Sequence, residues 1–209
     1  DRSKFQKWAE AVPYTLRNPL FHWTHMELQN PFGITDLLNG ESAQSIYDKT
    51  LEQLQEPGFS TQGLLNHFKV EMVGTTDDPS DDLHAHQRLA NSSFKTKILP
   101  SFRPDKSLNI SGKDDYRAYL DKLSSVSAKD IVDVPSLIAC LTQRIDYFHE
   151  IGGRIADHGL SSLPRQGSVT REEVDVVFKE VLAGNDDRVP PEIANSFAFY
   201  VLIVLCQKY

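Results

Sequence analysis

The chain has 209 residues, 22 Lys and Arg against 29 Asp and Glu, a formal net charge of −7, and 40% hydrophobic with 24% charged residues. That composition is ordinary for a globular protein, and the length suits one sizeable core or two modest domains. An acidic chain excludes nucleic acid as a default partner, and an anionic substrate would need a local cation, for which Arg103 and Lys106 are the candidates.

The first third reads as helical. Phe5, Trp8, Ala9 and Val12 follow helical spacing and Pro13 stops them. Leu20, Trp23 and Met26 form a second stripe, ended by Asn30-Pro31. Ile46, Tyr47, Leu51 and Leu54 form a third, with Ser42 as N-cap and Pro57-Gly58 as the stop, and Ser60 caps a short segment through Phe68. From Lys69 the pattern changes to alternating strands and helices. Strands are predicted near 69–74, 95–99 and 153–156, with helices near 80–90, 114–124, 135–151, 171–183 and 191–207. Thr170-Arg171-Glu172-Glu173 has the form of a capping box ahead of Val174, Val177, Phe178 and Val181. The expected organisation is therefore a helical region over 1–68 and an α/β region over 69–209.

No basic and apolar signal peptide opens the chain, and the longest apolar run, Phe197 to Cys206, is too short to span a bilayer. The expectation is a cytoplasmic protein with no membrane partner. Cys140 and Cys206 lie in apolar helical patterns without a CxxC neighbour and read as two buried free thiols.

Each predicted strand runs into polar residues, as in parallel α/β proteins that gather chemistry at the carboxyl ends of their strands. Arg103 sits between Pro100 and Pro104, which restrict its backbone. Its planar fork suits capture of a carboxylate or phosphate, or alternatively a structural salt bridge to Asp77, Asp78 or Asp105. Asp157 and His158 follow the last strand, with Gly159 permitting close backbone approach. They are either a proton acceptor and donor or a hydrogen-bonded loop pair, and strand alternation lets only one of them face a pocket. Thr75 and Asp77 offer a hydroxyl and a carboxylate for substrate hydroxyls, while Asp78 before Pro79 also reads as the cap of the next helix. His84-Ala85-His86 falls in a helical pattern, where residues two apart diverge by about 200°, and reads as a surface pair. His22 and His25 have spacing that shares a ligand on a helix, but with no third ligand evident they read as packing or substrate contacts.

Four segments in order resemble uronate isomerases: Arg17 to His25 with Phe32-Gly33-Ile34, Val73 to Pro79, Leu99 to Lys106, and Asp157-His158-Gly159-Leu160. The resemblance implies the amidohydrolase superfamily and a (β/α)8 barrel with a helical insertion. The expected fold class is thus α/β, a partial TIM-type barrel of three parallel strands behind residues 1–68. It implies aldose–ketose isomerisation of D-glucuronate to D-fructuronate and of D-galacturonate to D-tagaturonate. Arg103 matches the family arginine that helps hold the uronate, and Asp157 an active-site aspartate. Read with the residues above, Thr75 and Asp77 join Arg103 as the expected substrate contacts, and His158, adjacent to Asp157, completes the expected catalytic pair.

The family's metal-binding His-x-His and late barrel strands have no counterpart here. The chain therefore reads as an internal fragment, inactive alone and without a metal of its own, from a parent that carries a divalent metal, zinc. Two alternatives stand beside it. One is a non-catalytic module that self-associates into a homo-oligomer through open sheet edges. The other is a metal-dependent hydrolase of the same superfamily.

Overall fold

The computed structural model describes residues 1–185 and 189–209. They form two units, Asp1–Glu71 and Met72–Tyr209. In the first, α1 (Arg2–Ala11), α2 (Pro19–Gln29), α3 (Ala43–Gln53) and α4 (Thr61–His67) surround a small core of Ala9, Val12, Leu28, Ile34, Leu38, Ala43 and Ile46. Several details depart from the sequence reading, and Trp8, Leu51 and Leu54 of the predicted stripes are exposed. Helix α2 buries Leu28, with Phe21 packed on the core, and leaves Trp23 and Met26 exposed. Ser42 makes no cap bond to α3, because its hydroxyl is committed to the Leu37 carbonyl, 2.8 Å away; Asn39 accepts from Glu41 and Ser42 instead.

The second unit carries β1 (Met72–Asp77), α5 (His84–Ala90), β2 (Lys97–Phe102), α6 (Lys113–Ser127), α7 (Val134–Glu150), β3 (Ile155–Ala156), α8 (Arg171–Leu182) and α9 (Pro191–Lys208). The strands are parallel in the order β1-β2-β3. Asp77 stands opposite Phe102, and Phe102 opposite Ala156, so all three strands end at one level.

Strand β1 begins at Met72, three residues later than predicted, for a local reason. Helix α4 ends with Lys69 in the left-handed region, at φ 54°. Val70 N–H then bonds back to Leu65, at 2.9 Å, and Lys69 N–H to Asn66, at 3.1 Å. This is the Schellman closure that glycine usually provides. Thr75 and Asp77 consequently lie inside the strand, on one face of it.

The partial barrel is corrected by this sheet. The described residues form a mixed α/β unit on an open, three-stranded parallel sheet, with no closed barrel. Closure of that type takes eight strands, and β3 pairs over only two residues.

The core of this unit lies between the helices and the sheet. Leu120, Leu123, Leu137, Leu141, Phe178, Phe197, Val201 and Leu205 are fully or almost fully buried, each contributing about 1.5–3 kcal/mol of transfer free energy. Phe102 ties the sheet to α7 through an edge-on contact with Phe148, at 5.2 Å. The capping box of Thr170 and Glu173 opens α8, and a second one, Asp133 with Ser136, opens α7. Cys140 is buried but Cys206 is exposed, on the outer side of α9, which corrects the reading of two buried thiols. Among the described residues no helix is long and apolar enough to cross a membrane.

Candidate active site

The carboxyl ends of the three strands are stitched together by backbone bonds. Arg103 N–H donates to Asp77 carbonyl at 2.9 Å, and Asp157 N–H to Phe102 carbonyl at 3.1 Å. The first residues beyond β2 and β3 are thus each held beside the preceding strand, and the chemistry-bearing side chains fall into two clusters.

The first cluster surrounds Arg103. Its Nε faces Asp105 Oδ2 at 3.1 Å and Asp157 Oδ2 at 3.7 Å. His158 Nδ1 stands 3.4 Å from Asp105 Oδ1, too poorly aligned for a hydrogen bond. Asp157 and His158 therefore both turn to the same place. Strand alternation does not separate them, because β3 ends at Ala156 and leaves both in the following turn. Of the three carboxylates offered as salt-bridge partners for Arg103, only Asp105 serves. Asp78 is engaged by Ser80, whose N–H and hydroxyl donate to its Oδ1 at 2.9 and 2.7 Å, and by Lys106 at 3.6 Å. That turn delays α5 to His84, so Asp78 caps a turn and not the helix. Gly159 packs against the Arg103 guanidinium, which a Cβ there would displace.

The second cluster lies on β1. Thr75 hydroxyl donates to Asp77 Oδ2 at 2.6 Å, and His86 Nε2 lies 2.7 Å from the same oxygen of Thr75. With its one proton given to the shorter of its acceptors, Thr75 accepts from His86, which places the imidazole proton on Nε2. His86 is 7% exposed, which corrects its reading as a surface residue; its neighbour His84 is exposed. The two rings do diverge on the helix, and the turn 78–81 rolls one of them onto the sheet. An open cleft of about 310 Å³ beside this cluster is lined by Asp77, Ser80, Asp81, Leu83, His86 and Lys122.

Thr75 and Asp77 are thus joined to each other and to His86, while Arg103, Asp157 and His158 meet around Asp105. His86 and Asp105 were not among the site residues expected from sequence. Asp105 was visible only as a neighbour of Arg103. His86 was weighed only as half of a surface pair with His84, although its helical spacing from Leu83 and Ala90 could have marked it as facing inward.

Four buried polar atoms in these clusters have no hydrogen-bond partner: His86 Nδ1, Asp105 Oδ1, Asp157 Oδ1 and His158 Nδ1. Buried polar atoms are rarely left so, and three of the four, on Asp105, Asp157 and His158, lie in the Arg103 cluster. Among the described residues no group of three or more His, Cys, Asp or Glu is arranged to hold a metal ion. His25 has both ring nitrogens committed, accepting from Leu38 N–H at 3.0 Å and meeting Phe21 carbonyl at 2.7 Å. It is a packing residue of its unit.

Comparison with known proteins gives these clusters a context. The glucuronate isomerase family model matches residues 1–209. A uronate isomerase of Bacteroides thetaiotaomicron is 44% identical over 88% of this chain and 39% of its own length. One from Flavobacterium johnsoniae is 43% identical over 100% of this chain and 44% of its own. The crystal structure of the Thermotoga maritima uronate isomerase superposes with a TM-score of 0.88, at 26% identity, over 99% of this chain and 45% of that one. The chain spans about two-fifths of the length of the curated relatives it matches. The likeness is not confined to four motifs, since the family model matches the whole chain, residues 1–209. On that match, and on relatives above 40% identity, the chain belongs to the glucuronate isomerase family.

Proposed function

We propose that the intact protein isomerises uronates, interconverting D-glucuronate with D-fructuronate and D-galacturonate with D-tagaturonate. One observation carries the reading. In a chain of the glucuronate isomerase family, a guanidinium, a carboxylate and an imidazole meet at adjacent ends of parallel strands.

A uronate presents a carboxylate at one end and a carbonyl with vicinal hydroxyls at the other. Arg103 spends Nε on Asp105 and keeps its terminal NH2 groups for the substrate carboxylate, the bidentate pairing that a fork favours. Aldose–ketose exchange moves a proton between neighbouring carbons and another between their oxygens, through an enediol. Asp157 and His158 take the oxygen-side work, orienting hydroxyls and passing protons, and sugar hydroxyls satisfy Asp157 Oδ1 and His158 Nδ1. Thr75 and Asp77 contact the substrate from β1. The principal base that removes the carbon-bound proton is outside this set. The divalent metal implied by the resemblance finds no set of three ligands among the described residues, and no step here runs through it.

The test is turnover by the intact protein. It should convert D-glucuronate or D-galacturonate to the ketose and leave D-glucose, which lacks the carboxylate, untouched. No conversion of either uronate would overturn the reading.

A further inference from the structure

Arg103, His158 and the turn after β3 all meet on one carboxylate. Asp105 opens a tight turn, Asp105–Leu108, two residues beyond Arg103. Its Oδ2 accepts from Arg103 Nε at 3.1 Å and from Gly159 N–H at 2.6 Å. Its Oδ1 stands 3.4 Å from His158 Nδ1. The carboxylate thus touches the guanidinium, the imidazole and the backbone of the segment that carries the imidazole.

We propose that Asp105 is a positioning residue for uronate capture, an inference that rests on the isomerase reading above. Three observations lead to it. First, Asp105 takes Nε, the one guanidinium nitrogen on the side-chain stem. Arg103 Nη1 and Nη2 make no hydrogen bond among the described residues, with Nη2 lying beside Gly159. Second, Asp157 Oδ2 is a competing acceptor for the same Nε, at 3.7 Å. Without Asp105 the guanidinium would close on Asp157, spending the charge meant for the substrate and tying up a proposed catalytic carboxylate. Third, Gly159 N–H is held by Asp105, and Gly159 packs against the Arg103 guanidinium so closely that a Cβ there would displace it. The turn and the guanidinium therefore keep one another in place.

The experiment is a double-mutant cycle in the intact protein, reading KM and kcat for D-glucuronate in the wild type, Asp105→Asn, Arg103→Ala and the double variant, with thermal unfolding as the fold control. Asp105→Asn should raise KM by about tenfold or more, the signature of a lost binding contact. Added to Arg103→Ala it should change KM by less than about twofold, because it acts through the guanidinium. A KM unmoved by Asp105→Asn, a loss confined to kcat, or effects that multiply in the double variant would each overturn the proposal. If Asp105→Asn fails to fold, Gly159→Ala takes its place. It crowds the guanidinium while leaving the carboxylate intact, and an unchanged KM there would also overturn the proposal. A wild-type protein inactive on both uronates sinks the isomerase reading and this inference together; an active wild type with an unaffected Asp105→Asn sinks this inference alone.

Discussion

Arg144 Nε donates to the carbonyl of Pro79 at 2.8 Å, so α7 holds the turn that follows β1. The same guanidinium donates through Nη2 to Asp81 carbonyl at 2.7 Å and lies over the Tyr147 ring at 4.2 Å. Tyr147 hydroxyl donates to Asp82 carbonyl at 2.7 Å. Arg144 is 5% exposed, and burial lowers its pKa. A buried charge of this kind is tolerated because it satisfies carbonyls that the irregular turn leaves open. By fixing the turn, it fixes where His86 enters.

Replacing Arg144 by Met should therefore destabilise the intact protein by about 2–4 kcal/mol, since both carbonyls lose their donor in a buried place. Denaturant unfolding measures this. A loss below about 0.5 kcal/mol would show that water replaces the guanidinium.

Arg103→Ala should lower kcat/KM for D-glucuronate by about 2–4 kcal/mol, chiefly through KM, the cost of an unpaired charged contact. Steady-state kinetics on the intact protein decide it. An unchanged KM would make Arg103 a structural partner of Asp105 and no more.

His86→Phe keeps the ring volume and removes the donor to Thr75. It should cost about 1–3 kcal/mol of stability, because Thr75 and Asp77 keep each other but lose their buried third partner. Thermal unfolding reads the loss, and His86→Gln, with an amide donor, should recover part of it.

Gly153→Ala should be among the most damaging single changes in the second unit. A Cβ there would stand 2.7 Å from Pro100 carbonyl and 2.9 Å from Phe148 carbonyl, where α7 passes closest to β2. Neither backbone group can move freely, so about 2 kcal/mol or more should be lost, measured by denaturant midpoint.

Two helix caps predict a pH dependence. Glu173 is held below its ordinary value of 4.5 by the Thr170 backbone N–H and then by the Thr170 hydroxyl. Asp133 is held below its ordinary 3.8 by the Ser136 hydroxyl and then by the Ser136 N–H. A carboxyl with a depressed folded-state pKa contributes its full stability above the ordinary value. That contribution fades as pH falls from there to the folded value, and is gone below it. Unfolding midpoints should therefore begin to drop as pH falls below the ordinary carboxyl values, with the Glu173 contribution fading first from about 4.5. The drop should be smaller in Glu173→Gln, and an equal drop in that variant would count against the cap.

Much of this was legible in the residues because it is local. The Thr170 capping box declares itself through one hydroxyl and one carboxylate at fixed spacing. Ala9 and Val12 declare a buried face by period alone. Arg103, Asp157 and His158 were visible as polar residues directly after apolar runs, and the structure brings them together. The start of β1 was not legible, since Lys69 takes a left-handed conformation that composition does not announce. Cys206 sits in a run apolar enough to read as buried, yet its side of α9 faces outward.

The sequence by itself determined which helices form, that the strands are short and parallel, and which ionisable residues stand at their ends. These depend on neighbours a few positions away, where periodicity and capping act. Only the tertiary structure decided that the sheet is open and three-stranded, that Asp105 and not Asp77 or Asp78 takes Arg103, and that His86 is buried against Thr75. Each of these turns on the register between separate strands and on a helix clamped by Arg144, 65 positions beyond Pro79. Contacts across such distances in the chain are chosen by packing, and no short-range pattern records them.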